Sequence, residues 1–143
     1  MALERKPILL GIDHGQVRIG LAVSDPLGLT AQPVGVFPAA DPATLFARME
    51  ELVRERDIHK AVLGLPLNMD GSEGPAAQAA RAFASLITER LALEVVFWDE
   101  RLTTVRAERA MLSGDLSRKK RSQRRDTIAA QLILQAWLDA QPR

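Results

Sequence analysis

Carboxylates at three places in the sequence are candidates for metal-ion chemistry: Asp13, the neighbouring Asp99 and Glu100, and Asp126. The first two places end apolar runs, and the third lies four residues before an inward-facing position of a predicted helix. Carboxylates gathered away from water repel each other unless a cation lies between them. Oxygen ligands without Cys or His favour Mg²⁺ or Mn²⁺, and two such ions about 3.5–4 Å apart promote attack of water on a phosphodiester.

Each of these acids also has a plainer structural interpretation. Asp13 could cap the turn at Gly15. Glu100 could pair with Arg101, and Asp126 could interact with the N-terminus of its helix. Spacing alone does not separate these interpretations from a shared metal site, although acids at strand ends and at the start of an inward-facing helix can converge on one edge of a sheet.

The elements that must position the acids alternate between strands and helices. Apolar runs and period-two patterns predict strands at 8–13, 18–24, 31–37, 61–65 and 95–98. Caps, prolines and helical spacing predict helices at 42–56, 75–91, 103–112 and 125–140, with a loop at 113–123. Pro33 places the third strand at an edge. This order predicts an α/β fold, in which a mixed sheet is covered by helices. In such sheets ligands bind at the carboxyl ends of the strands.

Length and composition indicate one domain over residues 1–143 in a reducing compartment. The chain has 47% hydrophobic residues and no cysteine, which excludes disulfides, zinc-thiolate sites and a thiol nucleophile. Two histidines are too few for a histidine-built zinc site. No apolar run approaches the length of about 20 residues needed to span a membrane, so we expect a cytoplasmic protein without a membrane partner.

The formal net charge of +1 conceals a local imbalance. Residues 101–126 contain nine Lys or Arg against three acids, so this segment carries +6 and the rest of the chain −5. A basic block on an otherwise acidic chain suggests a polyanionic partner, and its plainer interpretation is a solvated surface.

Four blocks of sequence, in order along nearly the whole chain, closely resemble the YqgF/RuvX family of RNase H-like nucleases. They are GIDHG at 11–15 with RIGLAVSD at 18–25, GLPLNMDG at 64–71, DERLTT at 99–104, and Asp126 ahead of Ala129 and Ala130. The resemblance implies a five-stranded mixed sheet with the second strand antiparallel to the rest and helices on both faces. It also implies a bacterial cytoplasmic nuclease that either matures the 5′ end of pre-16S ribosomal RNA or, by kinship with RuvC, resolves Holliday junctions.

The resemblance further implies which residues act. Asp13, Glu100 and Asp126 would be the catalytic acids and the ligands of two Mg²⁺ or Mn²⁺ ions, with Asp13 bridging them. Asp99 is a less favoured ligand, because neighbouring side chains of a strand face opposite ways and Glu100 lies farther toward the rim. The expected nucleic-acid contacts are Arg18, Arg101, Arg118, Lys119, Lys120 and Arg121. We expect a monomer or a weak homodimer.

Two other functional classes fit parts of the sequence. A nucleic-acid-binding module without catalysis would keep the fold and the basic block, but it leaves the three matching acids unexplained. The segment 13–18 also resembles the phosphate turn of actin-like and sugar-kinase-like ATPases. Those folds enclose the nucleotide between two domains, which 143 residues cannot supply.

The basic block gives the first testable prediction. Replacing Arg118, Lys119, Lys120 and Arg121 by alanine should weaken nucleic-acid binding and flatten its salt dependence. Each lost phosphate contact should reduce the slope of log K against log salt by about 0.9 on duplex DNA or about 0.7 on a single strand. Turnover at saturating substrate should change less. An unchanged salt slope in a binding titration would show that these side chains form only a solvated surface.

Overall fold

A computed structural model describes residues 4–102 and 118–142, with side chains of the second range described from residue 129 onward. The strands are β1 (Leu10–His14), β2 (Arg18–Ser24), β3 (Ala31–Pro38), β4 (Lys60–Leu65) and β5 (Glu94–Asp99). The helices of the described residues are α1 (Pro42–Arg56), α2 (Pro75–Leu91) and α3 (Arg118–Ala140), and a 3-10 turn covers Glu100–Leu102. None of these helices is both long and apolar enough to cross a membrane.

The five strands form one mixed sheet in the order β3-β2-β1-β4-β5. Strand β2 is antiparallel to both β1 and β3, whereas β1, β4 and β5 are parallel neighbours. This confirms the predicted five-stranded mixed sheet and its antiparallel second strand. Strand β3 lies at an edge, as Pro33 predicts, because an interior strand would need the amide hydrogen that proline lacks.

The first two helices begin where local chemistry predicts. Asp41 accepts hydrogen bonds from the backbone amide of Thr44 (3.3 Å) and from its hydroxyl (2.6 Å), and Pro42 occupies the first helical position of α1. Proline suits that position because its missing amide hydrogen would have no partner in the helix. Pro75 begins α2 in the same way.

Helical spacing in the sequence predicts an inward face of α2 made of Ala79, Ala82, Phe83, Leu86, Ile87 and Leu91. This prediction is partly wrong. Phe83 and Ile87 are buried, but Leu86 is 44% exposed, and Ala79 and Ala82 are exposed as well. The buried alanines are Ala77, Ala80 and Ala84. Alanines occur all around this helix, so they do not fix its rotation, and only the packing against the sheet does.

Helices cover both faces of the sheet, as predicted. The core on one face joins Leu10 and Ile12 of β1 to residues of α1 and α2. The core on the other face joins Leu9, Ala22 and Val62 to α3. Helical spacing in the sequence also predicts that Ala130, Ile133, Leu134, Trp137 and Leu138 of α3 face inward. This is confirmed, because Trp137 is partly buried against the core and the other four are buried.

The predicted start of the last helix is wrong by seven residues. Helix α3 begins at Arg118 instead of Arg125, so the basic run 118–121 belongs to its first turns and not to a loop. That run lacks apolar periodicity, but lysine, arginine and glutamine are good helix formers and extend a helix anchored further along. The predicted helix at 103–112 and the first part of the predicted loop, 113–117, lie outside the described residues.

Candidate active site

Asp13 is a buried carboxylate at the carboxyl end of the central strand β1, with only 3% of its surface exposed. Side chains alternate between faces along a strand, so Asp13 shares the face of Gly11. A Cβ atom on Gly11 would lie 2.7 Å from Cβ of Leu134, which identifies this face as the one covered by α3. Asp13 is therefore directed to the α3 side of the sheet.

His14, the next residue, is directed to the opposite side. Its ring lies 4.6 Å from the ring of Phe83 in α2, between ring centres. Burial lowers the pKa of the His14 imidazole, and the negative charge of Asp13 opposes part of that shift. The lowered pKa favours neutral imidazole at neutral pH.

Glu100 is the second buried carboxylate, 4% exposed, at the start of the 3-10 turn that follows β5. Its side chain lies against Gly64 of β4, because a Cβ atom on Gly64 would be 3.2 Å from both Cγ and Cδ of Glu100. The same Cβ would lie 2.6 Å from Cδ1 of Ile133 in α3. Glu100 thus reaches back over the sheet on the α3 face, in space that any other residue at position 64 would fill.

The strand register brings Asp13 and Glu100 to the two sides of Gly64. Strand β1 pairs Ile12 with Leu63 of β4. Because the two strands are parallel, the next residues along them, Asp13 and Gly64, also lie side by side. Neighbouring strands lie about 4.8 Å apart. Both carboxylates therefore lie on the same face of the sheet and at the same edge, the one formed by the carboxyl ends of β1, β4 and β5. The backbone of Gly64 lies between them.

The backbone of α3 brings residue 126 toward this pair. Leu138 lines a cavity with Leu9, whereas Ala130 lies against Gly11, so α3 runs antiparallel to β1. From Gly11 to Asp13 the strand advances about 6.6 Å, and from Ala130 to Asp126 the helix advances about 6 Å in the same direction. The side chain of Asp126 lies outside the described part of the structure, so its role as a ligand stays a prediction.

Asp99 differs from Glu100 in its surroundings. Its carboxylate binds the Arg101 guanidinium, with the shortest N–O distance 2.8 Å, and also accepts a hydrogen bond from the Arg101 amide at 2.9 Å. Hydrogen bonding to Asp99 raises the pKa of Arg101 further above its usual value. The pairing of an acid with Arg101 that the sequence suggested for Glu100 is therefore made by Asp99.

The expected phosphate contacts Arg18 and Arg101 both lie at this edge of the sheet. Arg18 begins β2 with a half-buried side chain, and its carbonyl accepts a hydrogen bond from the amide of Gly15 at 3.0 Å. Arg101 holds Asp99 and donates to the carbonyl of Met69 at 3.3 Å. The four basic residues 118–121 lie in the first turns of α3, and their side chains are outside the described part.

The buried pair supplies oxygen ligands only, which suits a hard divalent cation. Within residues 4–102 and the side chains from 129 onward, no three acids or histidines come together as a complete metal site. The third expected ligand, Asp126, is not among those side chains. Sequence reasoning missed Gly64, whose role depends on its contacts with Glu100 and Ile133 and has no local signal.

A model of one protein family matches residues 7–140, and its description is "RuvX: Holliday junction resolvase". Similar chains include one from Rhodobacter capsulatus, 50% identical over 138 residues, with 96% of this chain and 87% of the other covered. Another, from Myxococcus xanthus, is 48% identical over 131 residues, with 92% and 87% covered. Both bear the name "Putative pre-16S rRNA nuclease".

Among solved structures, the fold is similar to Thermus thermophilus RuvC in complex with a Holliday junction substrate. The TM-score is 0.55 with 17% sequence identity, and the match covers 94% of this chain and 98% of that one. Thermus thermophilus RuvC in a second structure matches with a TM-score of 0.54 and 15% identity. At this identity the similarity supports a shared RNase H-like fold.

The space at Gly64 generates a prediction on stability. Gly64→Ala should reduce the free energy of unfolding by about 1–3 kcal/mol, because the added methyl group overpacks against Ile133 and Glu100. Chemical denaturation measures this change. Gly74→Ser is the control, since its Cβ would lie an ordinary 3.4 Å from Oδ1 of Asn68 and serine suits the helix N-cap that Gly74 occupies. Equal stability of Gly64→Ala and the unmodified protein would contradict the close packing at Gly64.

Proposed function

The chain belongs to the RuvX family of nucleases, and we propose that it is a metal-dependent endonuclease that hydrolyses phosphodiester bonds of nucleic acid. The observation that supports this proposal most directly is the pair of buried carboxylates, Asp13 and Glu100, on the two sides of Gly64. Two buried carboxylates on the same face of the sheet supply the oxygen ligands that a divalent cation such as Mg²⁺ or Mn²⁺ prefers.

In this proposal Asp13, Glu100 and Asp126 would hold two Mg²⁺ or Mn²⁺ ions. Asp13, at the end of the central strand β1, would be the shared ligand, as the family resemblance implies. Metal ions held there would supply a bound water of lowered pKa and charge stabilisation for the leaving oxygen. His14 faces the other side of the sheet, against Phe83, so proton transfer at the reacting phosphate does not depend on it.

We assign Asp99 to positioning. Its carboxylate orients the Arg101 guanidinium through three hydrogen bonds of 2.8–3.1 Å, and Arg101 in turn holds the carbonyl of Met69. Arg101 thereby fixes the segment after β4 next to the carboxylates. Arg18 and the basic start of α3 are the groups that would contact the phosphates of the substrate.

The substrate that we propose is the precursor of 16S ribosomal RNA, cleaved in the maturation of its 5′ end in the cytoplasm. Relatives between 44% and 50% identical over at least 92% of the chain bear the name "Putative pre-16S rRNA nuclease". A four-way DNA junction is the second candidate, because the family description names a Holliday junction resolvase and the RuvC similarity includes a junction complex. A two-fold symmetric junction requires paired active sites and hence a dimer.

Parallel cleavage assays separate the two substrates. The purified protein, with Mg²⁺ or with Mn²⁺, is incubated with a pre-16S rRNA fragment and with a four-way junction, and its mass is measured by light scattering. We expect a monomer or a weak dimer that cleaves the RNA fragment. A stable dimer that nicks junctions in symmetric pairs and ignores the RNA would refute the RNA assignment.

The acid variants give the prediction for this site. Asp13→Asn and Asp126→Asn should each lower the cleavage rate by about a hundredfold or more, because each removes a metal ligand. Thermal stability without metal should stay level or rise in Asp13→Asn, since one buried charge is removed. Asp139→Asn, near the exposed end of the same helix, is the control for Asp126. Cleavage by Asp13→Asn at the unmodified rate would exclude the bridging role.

A further inference from the structure

The most exposed large apolar side chains of the described residues lie at one end of the molecule. Met69 is 78% exposed, Leu102 68% and Val17 67%, whereas the next two, Leu86 and Leu29, are only 44% and 43% exposed. Val17 lies in the turn from β1 to β2, Met69 follows β4, and Leu102 follows β5. All three positions are at the edge where Asp13 and Glu100 lie.

We call Val17, Met69 and Leu102 the apolar rim. A single exposed apolar residue is ordinary on a protein surface and needs no explanation. Three on separate loops at the end of the sheet where the two buried carboxylates lie are different, because one ligand bound at the carboxylates could cover all three. The location therefore points to a ligand that covers the site and its surroundings together.

Met69 is presented from a segment with a fixed backbone. The Arg101 guanidinium donates to the Met69 carbonyl at 3.3 Å, and the backbone amide of Asn68 donates to the Ser72 carbonyl at 2.9 Å. The Gly71 amide closes the same turn on the Asn68 carbonyl at 2.9 Å. Because these bonds already order the backbone, binding to Met69 would lose little conformational entropy there.

We propose that the apolar rim binds the faces of unpaired bases next to the phosphate that is cleaved; this inference rests on the proposed nuclease function. In a regular duplex the base faces are stacked on one another and present only their edges and the charged backbone. Unpaired bases expose apolar faces that apolar side chains can cover, whereas phosphates are matched by arginine and lysine. A rim of apolar side chains around an acidic centre thus fits a strand with unpaired nucleotides better than a continuous duplex.

The side chains also determine how selective this contact is. Methionine, valine and leucine side chains contribute no strong hydrogen-bond donor or acceptor, so they cannot distinguish one base from another by its edges. Methionine is flexible and adapts to surfaces of different shape. The rim should therefore select for the absence of base pairing and tolerate any sequence.

Binding measurements on matched substrates test the proposal. Met69→Ala, Val17→Ala and the double variant are compared with Leu86→Ala, an exposed apolar residue on α2 outside the rim. The probes are a labelled single-stranded RNA and the same RNA in a full duplex, measured by fluorescence anisotropy with EDTA so that no cleavage occurs. Each rim variant should bind the single strand about five- to tenfold more weakly and the duplex within about twofold of the unmodified protein.

Other outcomes overturn the proposal. Unchanged single-strand affinity would show that the rim serves another partner, such as a protein, and an equal loss on both RNAs would show that it does not sense pairing. A similar loss in Leu86→Ala would remove the assignment to this edge. Cleavage with Mg²⁺ is measured separately. If the rim variants lose single-strand affinity but the unmodified protein cleaves neither RNA nor junction, the nuclease function fails, and only the binding of unpaired bases by the rim stands.

Discussion

The direct contact of α3 with the backbone of β1 and β4 is the constraint on which the site depends. The contact exists because two glycines face the helix: a Cβ on Gly11 would meet Cβ of Leu134 at 2.7 Å, and one on Gly64 would meet Ile133 at 2.6 Å. Without side chains at these points the helix settles close to the sheet. That closeness buries Asp13, leaves room for Glu100 above Gly64 and brings the backbone of residue 126 to the same end.

Electrostatics divides the acids at this edge into two roles. Asp13 and Glu100 are almost fully buried, whereas the side chain of Asp99 retains 21% of its exposure and faces Arg101. A guanidinium can neutralise one carboxylate through a bidentate contact, and doing so for Asp99 also anchors the segment that carries Met69. We propose that the buried pair binds metal ions and that Asp99, through Arg101, maintains the shape of the rim around them.

The parts of the fold that the sequence predicted have local causes. Strand β2 was predicted at 18–24 because its apolar residues alternate, and α1 was predicted to begin at Pro42 because Asp41 can cap it. Where local signals were ambiguous the predictions failed. The many alanines of α2 do not define which of its faces packs on the sheet. The charged residues from Arg118 onward lack apolar periodicity, so the first seven residues of α3 are not predicted as helix.

The site was harder to predict than the fold, because its geometry depends on long-range contacts. Strand alternation could not decide between Asp99 and Glu100, since β5 ends at Asp99 and the following turn redirects Glu100 over β4. The resemblance to a known family selected Glu100, but neither spacing nor resemblance indicated that Gly64 makes the space for it. The apolar rim was equally invisible, because it unites three residues far apart in sequence.

The affinity for Mn²⁺ in two carboxylate variants tests the central claim most directly. Electron paramagnetic resonance measures free Mn²⁺ in titrations of the unmodified protein, Glu100→Gln and Asp99→Asn, independently of any substrate. The account predicts that Glu100→Gln weakens Mn²⁺ binding by about tenfold or more, whereas Asp99→Asn changes it by less than about threefold. Weak binding in Asp99→Asn with full affinity in Glu100→Gln would contradict the assignment of the buried pair as the metal site.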